Sequence, residues 1–282
     1  MAYSWLANQR ETRAVLKRHG FSLKHHLGQN FLINDAVIGR ILDLAELEPT
    51  DVVFEVGPGI GTLTVAMLPR VRRVVAVEAD HTLPPVLAQT CAQDTEKLAL
   101  VQGDALRVTP EELARAAGAE PTKLVSNLPY QVAATVVLGT LHHMPSVGRV
   151  VVMVQAEVAD RIAARPGTKA YGAYTAKLAL YGHVTGRFEV GPGNFMPPPH
   201  VDSAVVRIDR DQVPCDEPDE VARVIDAAFA QRRKTIRNSM GANGYDKDVL
   251  DAAFAASGID PRTRAEKLDA QDFIRLHQAL GA

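Results

Sequence analysis

The sequence predicts an α/β fold in which a mostly parallel sheet carries helices on both faces, followed by a small all-helical C-terminal domain. Three observations predict it. From residue 51 to about 155, short apolar runs alternate with helix-period segments across short, punctuated connections. Those runs are near-continuously apolar, as expected of strands buried on both faces. Beyond residue 219 the pattern is helical, with no strand-like run.

Taken in order, residues 34–47 read as a helix. The strand candidates are 51–56 (DVVFEV), 73–78 (RVVAVE), 97–101 (KLALV), 122–126 (TKLVS) and 148–155 (GRVVVMVQ). Helices at 62–68, 82–92, 111–117 and 131–143 fall between them, an order that makes neighbouring strands parallel. Ligands of such sheets bind outside the carboxyl ends of the strands. A helical stretch (156–164), a loop PGTKAYG (166–172) and a helix (173–181) follow. Late strands at 183–190 and 203–209 flank GPGNFMPPPH, which Pro and Gly keep irregular. The charged, Pro-bearing stretch 209–219 (DRDQVPCDEPD) is the best boundary, dividing the chain into 1–210 and 211–282. Helices at 219–230, 246–257 (ending at Gly258) and 270–280 complete it, and no repeat is present.

At 282 residues the chain has room for one large domain with an appendage, or for two. Its 46% apolar and 23% charged content is that of a soluble globular protein. A net charge of −2 gives no global pull on nucleic acid, so local patches must carry any such argument. Cys91 and Cys215 form neither a metal spacing nor a disulfide framework, which fits a reducing, cytoplasmic setting. The polar N-terminus lacks a signal-peptide pattern, and no run approaches the about 18 apolar residues of a membrane span. His25-His26 and His142-His143 lack ligand-type partners, so no metal is expected.

Residues 54–64 (FEVGPGIGTLT) place Gly57, Gly59 and Gly61 between a strand and a helix. Glycines there let the backbone turn sharply and approach a ligand with no Cβ in the way. Glu78 ends the next strand, where a free carboxylate accepts hydrogen bonds from both hydroxyls of an unphosphorylated ribose. A turn that only packs a helix has the same glycines, but not the acid. The spacing is G-x-G-x-G, not the dinucleotide G-x-G-x-x-G, and Glu55 precedes it. Asp104, after Gly103, is a third carboxylate, suited to an adenine amino group. Acids at three successive strand ends repel a pyrophosphate and suit a sulfonium with an ammonium, favouring S-adenosylmethionine over NAD.

Residues 126–131 (SNLPYQ) end the fourth strand on the same sheet edge. The amino group of adenine is a poor nucleophile because its lone pair is delocalised into the ring. The Asn127 side-chain oxygen and the Leu128 carbonyl can accept its two N–H bonds, drawing nitrogen toward tetrahedral geometry. Pro129 fixes the turn and aims that carbonyl. Tyr130 offers a ring for stacking the base. A buried turn with a self-bonded Asn is the plainer alternative.

With these residues in hand, the chain resembles the ribosomal RNA adenine dimethyltransferase family, in particular its bacterial small-subunit (16S) branch associated with kasugamycin sensitivity. The matching segments are LGQNFL (27–32), EVGPGIGTLT (55–64), VEAD (77–80), GDAL (103–106), NLPY (127–130), KAYG (169–172), FMPPPHVDSAVVR (195–207) and FAQRRKTIRNS (229–239). The resemblance implies a Rossmann-like class I S-adenosylmethionine-dependent methyltransferase with a helical lid segment at 1–50. It implies a cofactor site of Gln29, Asn30, Leu32, Gly57, Gly59, Gly61, Glu78, Asp104, Ala105 and Asn127. It assigns catalysis to Asn127, Leu128, Pro129 and Tyr130, with Phe195 as a second aromatic wall holding an extruded base. Without it, Phe195 reads as loop packing and LGQNFL as a helix entry. The implied reaction dimethylates N6 of two adjacent adenosines in a 3′-terminal hairpin of 16S rRNA, within a 30S precursor, contributing to small-subunit biogenesis. A monomer is expected. His25-His26 and Ser126 depart from the residues frequent in the family, without touching the chemistry.

Residues 231–237 (QRRKTIR) concentrate Arg232, Arg233, Lys234 and Arg237, and helical spacing would put Arg233 and Arg237 on one face. Arg262, Arg264 and Lys267 could extend this patch; Lys24, Arg161, Arg165 and Lys169 are weaker candidates. A solvated helix face is the plain reading, and the resemblance turns it into an RNA clamp. Two other functions fit the same fold: a noncatalytic assembly factor and a 23S rRNA adenine-N6 methyltransferase. Intact NLPY, Glu78 and Asp104 argue against the first, and the C-terminal domain discriminates the second.

Overall fold

The computed structural model describes residues 2–20, 30–211 and 215–281. The chain divides into two compact units, Met1–Ala159 with Val184–Arg210, and Asp160–His183 with Asp211–Ala282. The boundary after 210 is the one expected from sequence, but residues 160–183 fold with the C-terminal part. The reason is packing: Tyr171, Ala176 and Leu180 are buried in one apolar cluster with Val221, Val224 and Ile225.

In the first unit, α1 (Gln9–Arg18) starts at Asn8, whose side chain accepts the Glu11 N–H at 2.9 Å. A two-residue strand β1 (Phe31–Leu32) leads to α2 (Asp35–Ala45), capped by Asn34. Then come β2 (Val52–Val56), α3 (Thr62–Met67), β3 (Arg73–Glu78), α4 (Pro84–Thr90), β4 (Leu98–Gln102), α5 (Pro110–Ala117), β5 (Lys123–Asn127), α6 (Ala133–His143) and β6 (Arg149–Gln155). Thr109 and Glu112 close a reciprocal capping box at the start of α5. After α7 (Ala156–Ile162) and α8 (Ala173–Leu178), the chain returns as β7 (Gly182–Val190), the short β8 (Phe195–Met196) and β9 (Ser203–Arg210).

The main sheet has the order β4-β3-β2-β5-β6-β9-β7. Its first five strands are parallel and β9 runs antiparallel to β6. From β2 the chain steps outward through β3 and β4 on one side and through β5 and β6 on the other. The crevice between the β2 and β5 ends is therefore the switch point where such sheets bind ligands. A second, two-stranded sheet pairs Phe31 with Met196 and Leu32 with Phe195, and sequence periodicity did not foreshadow it.

An ion network holds α2 against the sheet. Glu46, in left-handed conformation (φ 45°) at the α2 C-cap, accepts from Arg149 at 2.6 Å and Arg207 at 2.7 Å. Both arginines also reach Asp209. Although burial opposes ionisation, hydrogen bonds from Thr185, Arg149 and Arg207 hold the Asp209 carboxyl down at about 2.

In the second unit α9 (Pro218–Phe229), α10 (Ile236–Ala242), α11 (Lys247–Ser257) and α12 (Ala270–Leu280) surround Leu250, Phe254, Phe273 and Leu276. Gly258 (φ 70°) ends α11 as expected. The run 231–237 is not one helix. Residues 230–234 turn, and Thr235 caps α10 by accepting the Asn238 N–H at 3.4 Å. Arg233 thus lies in the turn and Arg237 in the next helix, which corrects the shared helix face.

Candidate active site

At the carboxyl ends of β2, β3 and β5 lies a cavity of about 210 Å³, lined by Asn30, Phe31 and Leu32, the glycine turn, the acids and the turn after β5. Gly57 and Gly59 have φ of 65° and 61°. A Cβ on Gly57 would stand 3.2 Å from Pro129, and one on Gly59 would stand 3.1 Å from the Phe31 ring. Both positions therefore require glycine twice over, for conformation and for space. Gly61 is different. It caps α3 with φ 88°, and its Cβ would meet Thr90, Cys91 and Leu87 rather than the cavity. Its expected place in the cofactor site becomes helix packing.

Three carboxylates mark the strand ends, each in its own environment. Glu78 is buried; its Oε1 accepts the Asp80 N–H at 2.8 Å and its Oε2 the Gly59 N–H at 3.3 Å. Burial raises its pKa, and these backbone bonds pull the other way. Asp104 lines the cavity with Ala105, accepts the Leu106 N–H at 2.9 Å and lies 3.9 Å from Arg107. Glu55, one of the three acids expected at the strand ends, is the most deeply buried of them. It lines the cavity, is 2% exposed and accepts the Thr64 hydroxyl at 2.7 Å. Burial, aided by the charge of Glu78, pushes its pKa up to about 8. Thr62, also on the wall, has a buried hydroxyl with no partner among the described residues. Thr62 is the wall residue that sequence reading did not single out; its signal lay in EVGPGIGT, directly after the glycines.

The turn after β5 sits where the sequence placed it. Asn127 ends the strand, and its Nδ2 donates to the Asn30 carbonyl at 3.3 Å. Leu128 is anchored by its N–H on the Met153 carbonyl at 3.1 Å. Pro129 abuts Gly57, and its carbonyl accepts the Val132 N–H at 3.2 Å. The Tyr130 hydroxyl is 2.8 Å from Ser203 Oγ, which steadies the ring at the cavity wall. Burial raises the Tyr130 pKa.

Phe195 is not among the residues that line the cavity with Tyr130; it is 3% exposed and belongs to the buried cluster that includes Leu32, Ile38 and Ile41. Successive strand residues point to opposite sides, so Phe195 turns into the core while Met196 meets the cluster under α1. Through its pairing with Leu32, Phe195 backs the short strand that lines the cavity. Asn30 and Leu32 line the cavity; Gln29 and Lys24 lie outside the described residues.

The basic run of the second unit is unevenly engaged. Arg232 donates to the carbonyls of Lys169 (2.9 Å) and Tyr171 (3.0 Å) and pairs with Glu266. Arg237 makes a two-pronged pair with Asp251 at 2.5 and 2.6 Å. Arg233 and Lys234 are exposed and have no acidic partner among the described residues. Arg262 pairs with Asp260, whereas Arg165, Lys169, Arg264 and Lys267 are exposed. Among the described residues no cluster of three or more His, Cys, Asp or Glu could hold a metal, and no helix is long and apolar enough to cross a membrane.

The chain matches the family described as ribosomal RNA adenine dimethylase over residues 20–281. It is 43% identical over 274 residues to the ribosomal RNA small subunit methyltransferase A of Thermobifida fusca, covering 94% of this chain and 93% of that protein. It is 42% identical over 275 residues to the protein of the same name from Rhodococcus erythropolis, covering 94% and 91%. Two solved structures share its fold. A dimethyladenosine transferase from Plasmodium falciparum superposes with a TM-score of 0.74 at 23% identity, covering 87% of this chain and 95% of that one. The 23S rRNA methyltransferase ErmE gives 0.68 at 24%, covering 90% and 100%. The sheet order, the glycine turn and NLPY in one cavity, and a family match across both units agree: the chain belongs to the ribosomal RNA adenine dimethylase family.

Proposed function

We propose that this chain dimethylates adenine N6 on two adjacent adenosines of small-subunit ribosomal RNA, as a monomer in the cytosol with S-adenosylmethionine as methyl donor. The observation that carries it is the hold on Asn127. Its amide nitrogen is committed to the lid, which leaves Oδ1 as the acceptor in a cavity that also holds a buried carboxylate at Glu78. The small-subunit target rests on the names of the Thermobifida and Rhodococcus relatives.

The cavity fits such a donor. Two glycines bring the backbone close with no Cβ in the way, Glu78 suits a ribose diol, and the acids Glu78 and Asp104 on the wall favour a cation over a pyrophosphate. The Thr62 hydroxyl, without a partner among the described residues, is a further group a ligand could engage. Gly57, Gly59, Glu78, Asp104, Asn30 and Leu32 would hold it. When bound, it supplies an electrophilic methyl group.

The chain's own residues prepare the acceptor. Asn127 Oδ1 and the Leu128 carbonyl take the two N–H bonds of the adenine amino group and localise its lone pair. The Tyr130 ring, tethered by Ser203, stacks the base. No strong base is required, because a nitrogen that has gained a methyl is cationic and readily loses its proton. Positioning is the main contribution of the protein.

The test incubates the protein and labelled methyl donor with 30S particles lacking the modification, mature 30S particles, or naked 16S rRNA. Dimethyladenosine formed only with the unmodified particles is the expected result. RNA binding without label in any of the three would leave a noncatalytic factor instead.

A further inference from the structure

Helix α1 carries Arg10, Arg13, Lys17 and Arg18 against the single acid Glu11, in a chain whose net charge is −2. All four basic residues are exposed. With 3.6 residues per turn, Arg10, Arg13 and Lys17 share one face, and the buried Thr12, Val15 and Leu16 occupy the opposite one.

The stability of the helix does not account for this stripe. Lys17 and Arg18 in the last turn complement the helix dipole, but Arg10 in the first turn opposes it. Arg10 is 92% exposed and only 3.6 Å from Glu11, a pair worth little in water. Arg13, Lys17 and Arg18 have no acidic partner among the described residues. A cationic face that costs its own helix stability calls for an anion from outside.

The position of the helix says where that anion lies. Val15 and Leu16 pack on Phe31, Ile60, Leu83 and Val86. Phe31 and Leu83 line the cavity, and the Phe31 ring stands over Gly59. The basic stripe is therefore one helix diameter, about 10 Å, outward from the lid side of the cavity wall. An RNA strand that delivers a base into the cavity must bring its neighbouring phosphates to this rim.

We infer that the outer face of α1, carried by Arg10, Arg13 and Lys17, is a phosphate-backbone binding surface for the ribosomal RNA strand whose base enters the adjacent cavity. It lies in the first unit and is separate from the basic run at 231–237. The inference rests on the functional reading above and deepens it. Such contacts position the strand without reading its sequence, and their strength falls with salt.

The experiment measures binding of unmodified 30S particles across a salt series, together with methylation and donor binding. Arg13→Glu/Lys17→Glu is compared with wild type and with Arg72→Glu/Arg115→Glu. The latter makes the same charge change at exposed sites near the opposite, amino-terminal ends of the strands. The α1 variant is expected to bind at least about tenfold more weakly and to lower the slope of log K against log salt by about 1 to 2. Its affinity for the methyl donor should stay at the wild-type value and its melting temperature should fall no further than that of the control pair, which also loses a last-turn basic residue; the control pair should bind particles as wild type does. Arg13→Gln/Lys17→Gln should fall between, and Arg13→Lys/Lys17→Arg should restore binding. Equal salt slopes for the α1 and control variants, with wild type active, would overturn this inference alone. A wild type that neither binds nor labels the particles would overturn the functional reading and this inference with it.

Discussion

The side-chain amide of Asn127 donates from Nδ2 to the backbone carbonyl of Asn30 at 3.3 Å, across 97 residues of sequence. This bond joins the turn after β5 to the lid strand. It also fixes which way the amide faces, because the nitrogen is occupied and the oxygen is left to accept. One contact thus ties the segment before β1 to the orientation of the Asn127 amide. Asn127→Ala should lower kcat by on the order of 10²–10³, the usual loss for one charge-stabilising hydrogen-bond group. Donor binding, read by calorimetry, should weaken but survive. Full turnover in this variant would remove the amide from the mechanism.

Glu55 makes stability depend on pH in a direction opposite to most carboxylates. Its ordinary value of 4.5 is raised in the fold to about 8 by burial. Between those values the unfolded chain has released a proton that the folded chain keeps, so stability falls as pH rises through the window. Glu55→Gln removes that titration. Its apo form should be more stable than wild type near pH 8, and indistinguishable or slightly weaker near pH 4. Denaturant midpoints at the two pH values check this, and parallel profiles for the two proteins would contradict it.

Gly59→Ala combines a left-handed backbone (φ 61°) with a Cβ 3.1 Å from the Phe31 ring. The strain should cost about 1–2 kcal/mol, and displacement of Phe31 should loosen the lid. Donor affinity is expected to fall by more than stability alone explains. Gly118→Ala, also left-handed (φ 74°) but outside the cavity, is the comparison that should lose only stability.

Arg232 and Lys234 are near neighbours with different work. Arg232 holds two backbone carbonyls and Glu266, so Arg232→Ala should lower the melting temperature of the whole chain. Arg233→Ala/Lys234→Ala touches no such bond; it should leave melting unchanged while weakening RNA binding and reducing its salt slope by about 2. Equal melting losses in both variants would erase the distinction.

Much of this protein was legible in its sequence, because the relevant signals are local. Continuous apolar runs place the parallel strands, glycine spacing marks the first turn, and NLPY marks the turn that lines the cavity within a residue of where β5 ends. The acids Glu78 and Asp104 could be placed at one sheet edge because strand ends in a parallel sheet all face one way. Sequence by itself therefore determined the fold class and placed the glycine turn, the acids and the NLPY turn at the sheet edge where the cavity lies.

What it left open concerns partners far apart in the chain. QRRKTIR looks uniformly basic, yet Arg232 and Arg237 are committed to Glu266 and Asp251, and a turn divides the run. FMPPP carries an aromatic that could stack a base, yet pairing of β8 with β1 turns Phe195 into the core. Gly61 matches the pattern of Gly57 and Gly59, but Leu87, Thr90 and Cys91 of the neighbouring helix end decide that its role is packing. Residues 160–183 joined the second unit because their apolar side meets α9. Periodicity tells a residue which face it occupies; only the tertiary structure decides what stands opposite that face, and burial there sets the charge of Glu55 and the aim of Asn127.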